Sequence, residues 1–196
     1  QTNTLASAGG DKDRLELREK RMTLAVLRGF HSMAMWCPLS ITMALLFSLT
    51  PGARWSDPAQ FGQWRGPKGC TLKVQKMDFV EGGEFHYAMT WPGAPDMWGK
   101  FVYGRIVPMQ SIEWVNSFSN EAGEITRAPF PGMKDWPLQV FNTPTLSERD
   151  GQTHLSLRGG PINALAVERT RFAGFFDSLR QGFGGTLDQL EAHLQA

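Results

Sequence analysis

Toward the carboxy terminus Phe172, Phe176, Leu179, Phe183, Leu187, Leu190 and Leu194 recur at steps of four, three, four, four, three and four. That spacing draws one apolar stripe along a helix, predicted over 164–194, and such a helix must lie on another apolar surface. Asn163 or a neighbour is placed to cap it, with Glu168 in an early turn. Gly182, Gly184 and Gly185 each cost up to about 1 kcal/mol against alanine inside a helix. They mark a kink or fraying point, or a helix thinned so that a sheet or a ligand can come close.

Upstream, from Thr71, the period changes to two. Phe85, Tyr87 and Met89 alternate with Glu84, His86 and Ala88, and "MWGKFVYGRIV" and "SIEWVNSF" follow, rich in β-branched and aromatic residues. The links "VEGGE", "WPGAPD" and "PMQ" are short enough to make antiparallel neighbours. After the irregular "SNEAGEITRAPFPGMKDW" come two more strands, "PLQVFNTPTLSE" and "THLSLRG", joined through "RDGQ". Pro144 removes a ladder donor from the first of them, which predicts an edge strand or a break.

The amino-terminal third reads differently. "DKDRLELREKRMTLAVLR" carries only a weak helical stripe, and "GFHSMAMWCPLSITMALLFSLTPGA" contains no Asp, Glu, Lys or Arg. About 20 apolar residues suffice to span a bilayer, but Pro38 interrupts this run and Ser, Thr and His dilute it. A signal peptide, with Lys20 and Arg21 as basic flank and "PGA" as cleavage site, would lie far from the first residue. A core segment of a cytoplasmic protein is the leading reading; a membrane, secretion or disordered segment is the alternative.

With 196 residues the chain has room for one ordinary domain and an appended segment. Its 20 Lys and Arg nearly cancel its 19 Asp and Glu, which leaves no field to attract nucleic acid or an anionic membrane. Cys37 and Cys70 stand in unlike contexts and fit reduced thiols rather than a disulfide framework. The four histidines are scattered without a ligand at metal spacing, so neither a metal nor another cofactor is expected.

Several segments together carry a family resemblance: "SDPAQFGQWRGPKGCTLKV", "GGEFHYAMT", "MWGKFVYGRIVPMQSIEWVNSFSNEAGEITR", "WPLQVFNT" and "RTRFAGFFDSLRQGFGGTLDQLEAHL". In order and spacing they resemble the bacterial START-like proteins of the group named after the activator of the 90-kDa heat-shock protein ATPase. The resemblance runs from about Trp55 to the end. It implies an α+β helix-grip fold, a curved antiparallel sheet wrapped around a long terminal helix, with a cavity between them for a small apolar molecule. The domain is placed at 41–196, with 1–40 as an extension outside the resemblance. "ITMALLFSLTPGARWSDP" occupies the place of the family's first strand and helix without resembling them. A replaced amino terminus and an upstream reading-frame error both fit.

No complete catalytic constellation is visible: "G-x-S-x-G", "H-E-x-x-H" and phosphate-binding glycine loops are all missing from the sequence. His86 is the best acid–base candidate, against the plainer reading of a satisfied strand histidine. Phe101, Tyr103, Trp114, Phe118, Phe172, Phe176 and Phe183, with Trp98 and Phe141, form an aromatic inventory suited to a core or to a cavity lining. Alternation puts Gly99, Phe101, Tyr103 and Arg105 on one face and Trp98, Lys100, Val102 and Gly104 on the other. Lys100 argues that the second face is wet. In the resemblance Arg105 stands where relatives often carry an acid. Trp64 lies in the loop that commonly closes one end of the sheet, as a mouth or lid, with Arg65 where many relatives have a second tryptophan.

The ligand-binding set is therefore Trp64, His86, Phe101, Tyr103, Arg105, Trp114, Phe118, Phe172, Phe176 and Phe183. The expected function is that of a module binding a small hydrophobic molecule without covalent chemistry. One alternative is a polyketide-cyclase-like enzyme using the same cavity, with His86, Tyr103 or Arg105 as polar participants. Another is an interaction protein that stimulates a chaperone ATPase; a homodimer is left open. Removing residues 1–30 is expected to leave the cooperative urea transition in place, and removing 41–50 to abolish it. Equal loss in both truncations would contradict this division.

Overall fold

The computed structural model describes residues 39–45, 55–150 and 152–195. The weak stripe before Gly29, Cys37 and the flanks of the uncharged run lie outside the described residues.

Seven strands form one antiparallel sheet: β1 (Leu39–Leu45), β2 (Thr71–Met77), β3 (Glu84–Thr90), β4 (Met97–Val107), β5 (Ser111–Phe118), β6 (Val140–Arg149) and β7 (Gln152–Pro161). Their order is β1-β7-β6-β5-β4-β3-β2, so chain neighbours from β2 to β7 are also sheet neighbours. Within the uncharged run, Leu39–Leu45 makes the edge strand, paired with β7 from Leu39 opposite Gly159 to Leu45 opposite Thr153. Among the described residues the helices are α1 (Pro58–Trp64), α2 (Ala166–Ala173) and α3 (Phe176–Gln195). This is the α+β helix-grip fold, with α3 gripped by the curved sheet. Among the described residues no helix is long and apolar enough to cross a membrane.

The terminal helix expected over 164–194 is two helices. Gly174 ends α2, its N–H bonding the Thr170 carbonyl at 3.1 Å, and the chain turns before α3 begins at Phe176. Nor does Asn163 cap α2: it takes a left-handed conformation (φ 51°), and its amide donates to Gln139 Oε1 at 3.2 Å. The cap is Leu165, whose N–H donates to the Glu168 carboxylate at 2.8 Å. One carboxylate thereby satisfies a donor that the first turn leaves without an intrahelical partner.

Pro144 is not at an edge, because β6 lies between β5 and β7; the break expected there falls in the ladder to β5 alone. Its nitrogen faces β5, on the same side as the Leu146 N–H that bonds Gln110 O at 2.7 Å. There the β5–β6 ladder opens between the pairs Ser111–Thr145 and Trp114–Asn142, while Pro144 keeps its place opposite Leu157 of β7. Simple alternation along β4 fails after Tyr103. Tyr103 is opposite Trp114 but Ile106 is opposite Ile112, so β4 has one extra residue. Ile106 then packs on the core and Arg105 turns to solvent.

The face holding Lys100 is covered rather than wet. Residues 119–125 fold over it, Lys100 Nζ donates to Gly123 O at 3.0 Å, and Glu84 Oε1 lies 3.5 Å from the ammonium. Buried Lys100 and Glu84 thus have the partners that buried charges require.

The concave face holds the main core. Phe85, Phe101, Tyr103 and Trp114 from the sheet meet Phe61 and Trp64 of α1, and Leu187 and Leu190 of α3. A smaller cluster joins Trp136, Val140 and Phe172, with Phe176 and Leu179 at its margin. Leu190 is fully buried and Phe176 only partly so. Leu190→Ala is therefore expected to cost about 2 to 5 kcal/mol in urea unfolding, and Phe176→Ala less. A greater loss at Phe176 would put the seat of the helix at the wrong end.

Glu168 anchors the 127–136 loop to α2. It is buried, and the hydrogen bond from Arg127, then that from the Leu165 N–H, hold its carboxyl below the ordinary value of 4.5. A carboxylate with a lowered folded-state pKa contributes stability above its unfolded pKa and loses it as pH falls through the folded one. The advantage of the wild type over Glu168→Gln is expected to be full near neutrality and to shrink as pH drops below about 4.5. A pH-independent difference in denaturation midpoint would contradict the ion pair's role.

Candidate functional site

Helix α3 does not contact the sheet evenly. Leu187 and Leu190 press into the main core, whereas Ser178, Leu179, Gly182, Phe183 and Thr186 face a pocket of about 260 Å³. These five positions make one helix face, as i, i+1, i+4, i+5 and i+8. Opposite them stand Tyr87 and Met89 of β3, Met97 of β4, Asn116 and Phe118 of β5, and Val140 and Asn142 of β6. Trp136 and Phe172 close one end, and Arg65 and Pro67 from the turn after α1 flank the other. Pro67, Ser178 and Gly182 are its exposed members, so the opening lies between that turn and α3.

Two glycines make room for the pocket's polar side chains. Gly99 lies opposite Tyr87, and a Cβ there would come within 2.7 Å of the phenol oxygen. Gly159 lies opposite Asn142, and a Cβ there would meet its amide oxygen at 2.6 Å. Both contacts are closer than real side chains allow, so these strand positions stay bare to let a neighbour lie across them. Asn142 Nδ2 donates to Val140 O at 3.1 Å and to Asn116 Oδ1 at 3.0 Å. Burial pushes the Tyr87 hydroxyl above its ordinary pKa of 10, against the pull of Arg65, so it stays a protonated donor.

Among the described residues Arg65 is the one cation that lines the pocket. Its guanidinium carbon sits 5.4 Å from the ring centre of Phe101 and 6.0 Å from that of Phe183. Burial pushes its pKa below the ordinary arginine value, and the groups opposing that shift are Tyr87, Tyr103 and Cys70 rather than any carboxylate. The backbone on either side is pinned by α3. Gln189 Nε2 donates to Gly66 O at 2.6 Å and reaches Trp64 O at 3.5 Å, and Thr186 Oγ1 donates to Gly66 O at 3.0 Å. Gly66 has φ 122°, and a Cβ there would overlap the Cys70 sulfur, so only glycine fits this turn.

Of the ten residues expected to bind ligand, Phe118, Phe172 and Phe183 line the pocket. Trp64, Phe101, Tyr103 and Trp114 lie beneath it in packed core: Phe101 stacks on Trp114 at 5.2 Å, and Trp64 meets Phe61 edge-on at 5.0 Å. Phe176 sits at the margin of the smaller cluster. His86 lies on the covered outer face, its ring 5.1 Å from that of Trp98 and its Nε2 3.1 Å from Asn120 O. Arg105 is in solvent beyond the bulge. The structure therefore does not bring Phe101, Tyr103, Trp114, Phe172 and Phe176 to one wall.

Sequence reasoning left out Arg65, Tyr87, Met89, Met97, Asn116 and Asn142 as lining residues. Period-two alternation already sets Tyr87 and Met89 beside Phe85, and the asparagines are polar residues at inward strand positions. Those signals were available. A second pocket, near Phe79, Ile106 and Pro144, has only about 40 Å³, room for a few waters at most. Among the described residues no group of three or more His, Cys, Asp or Glu is placed to hold a metal ion.

Solved structures share this architecture. A protein from Mycobacterium smegmatis matches with a TM-score of 0.62 and 21% identity over 78% of this chain and 87% of its own. One from Arthrobacter aurescens gives 0.65 and 20% over 80% and 84%, and one from Staphylococcus epidermidis 0.64 and 18% over 83% and 92%. The likeness is one of fold. No protein of curated function matches the chain. Residues 53–195 match the family described as Activator of Hsp90 ATPase homolog 1-like protein, and the chain belongs to that family.

Proposed function

We propose that the protein is a binding module that holds a small, largely apolar molecule in the pocket under α3 without turning it over. The observation that carries this reading is unfilled space in a mostly apolar setting: about 260 Å³ bordered by Met89, Met97, Phe118, Val140, Leu179 and Phe183. A cavity of about 150 Å³ takes a benzene ring, so this one has room for a molecule of roughly ten non-hydrogen atoms. Two methionines in the wall suit an adaptable apolar contact surface. The polar lining groups are a guanidinium, a phenol, two amides and two hydroxyls, which favours binding and orientation. A cyclase reading would need a general base there, and among the described residues no carboxylate or imidazole lines the pocket. The chaperone-activator reading rests on the family's description alone. We propose a cytoplasmic location, a compartment in which a free thiol such as that of Cys70 stays reduced.

Gly182 provides a clean test. A Cβ added there meets nothing within 4 Å, and the residue lies on the pocket side of α3. Gly182→Phe is expected to fill the mouth, cutting the affinity of a fluorescent apolar probe tenfold or more, with the thermal midpoint unchanged or raised. Probe binding that quenches Trp136 in the wild type and persists in Gly182→Phe would locate the ligand elsewhere. A folded wild type that takes up no probe would refute the reading altogether.

A further inference from the structure

Resting on that binding reading, we propose that the pocket selects amphipathic carboxylic acids, with an apolar body under α3 and a single carboxylate paired with Arg65.

A guanidinium half-buried among Phe101, Phe183, Tyr87 and Tyr103 has lost much of its water without gaining an anion. Among the described residues no carboxylate lies within ion-pair distance of it. Desolvated charges in folded proteins are normally paired, and leaving one with only ring faces for partners is costly. The cost makes sense where an anion arrives from outside. The position is also fixed in advance, since α3 holds the carbonyls on both sides of Arg65 through Gln189 and Thr186. A preorganised guanidinium gives up little freedom when a carboxylate binds its fork.

Neighbouring groups are donors as well. The Tyr87 hydroxyl is protonated and makes no hydrogen bond among the described residues. The Val140 carbonyl can only accept, so it fixes the Asn142 amide with its nitrogen turned to Val140 and Asn116. Asn116 must then present its oxygen to Asn142, which leaves its own Nδ2 without an acceptor among the described residues. One full positive charge with neutral donors about it balances a monoanion. A dianionic phosphate would keep a second charge buried and unpaired, since among the described residues the lining has no other cation to meet it.

The body size and head group together name the probes: octanoate, with octanol, octylammonium and octyl phosphate as controls. By isothermal titration, octanoate is expected to bind the wild type at least tenfold more tightly than octanol, with octylammonium weaker still. Tenfold is the effect of one charge-assisted hydrogen bond of modest strength. Arg65→Met, which keeps length and removes charge, is expected to lower octanoate affinity at least tenfold and to change octanol less than about twofold. The same variant should lose the octanoate-induced rise in thermal midpoint. If Arg65→Met does not fold, Arg65→Lys is the second variant: it keeps the charge without the fork and is expected to retain the acid preference in weakened form. Equal binding of octanoate and octanol, or an undiminished octanoate affinity in Arg65→Met, overturns the carboxylate inference and leaves the apolar pocket standing. Tighter binding of octyl phosphate than octanoate also overturns it, in favour of a phosphate head. Uptake of none of the four overturns both readings.

Discussion

The seat of α3 on the concave face of the sheet is the interaction from which the rest of the structure follows. Leu187 and Leu190 enter a core already crowded with Phe61, Trp64, Phe85 and Phe101. Burying two leucines fully contributes about 3 to 6 kcal/mol by transfer alone, a large share of a small domain's net stability. Thr186 and Gln189, each immediately before one of these leucines, hold the turn after α1 by donating to Gly66 O. One half of the helix is thereby fixed in place. The other half, from Ser178 to Phe183, stands over the sheet without filling the space beneath it. The pocket is what remains when a rigid helix is anchored at one end of a curved surface.

Small residues decide what that space contains. Gly99 and Gly159 surrender side chains so that Tyr87 and Asn142 can lie across them. Gly182 leaves the mouth open from the helix side. Against this background Arg65 is conspicuous, because a charge in such a place works against stability unless something binds it. Glu84 and Lys100 supply the contrast within the same protein. Both are buried on the outer face, but they face each other, and the Gly123 carbonyl accepts a hydrogen bond from the ammonium.

Much of the architecture could be read from the chain because periodicity is a local property. The two-residue repeat from Phe85 to Met89 and the three-and-four repeat from Phe172 to Leu194 each identify an element type, and the resemblance supplied their arrangement. What escaped were positions where one residue changes the count. A single extra residue in β4 sends Arg105 outward and Ile106 inward, and Gly174 divides a stripe that otherwise reads as continuous. The candidate site was less legible than the fold. Aromatic content marked Phe118, Phe172 and Phe183, which do line the pocket, together with Phe101 and Trp114, which stack on one another beneath it. A pattern of inward positions cannot tell a filled layer from an unfilled one, since that depends on how far α3 stands from each strand. Lys100 misled for a related reason: a charge on an alternating strand signals solvent only if no loop returns to cover it.

Amide hydrogen exchange along α3 tests the uneven seating most directly. Amides of 187–194 should exchange only through global unfolding, while those of 179–183 open locally with a lower free energy and gain protection when a ligand fills the pocket. Uniform protection along the whole helix, unaltered by any ligand, would mean that α3 is packed along its entire length and that the space beneath it is not a binding site.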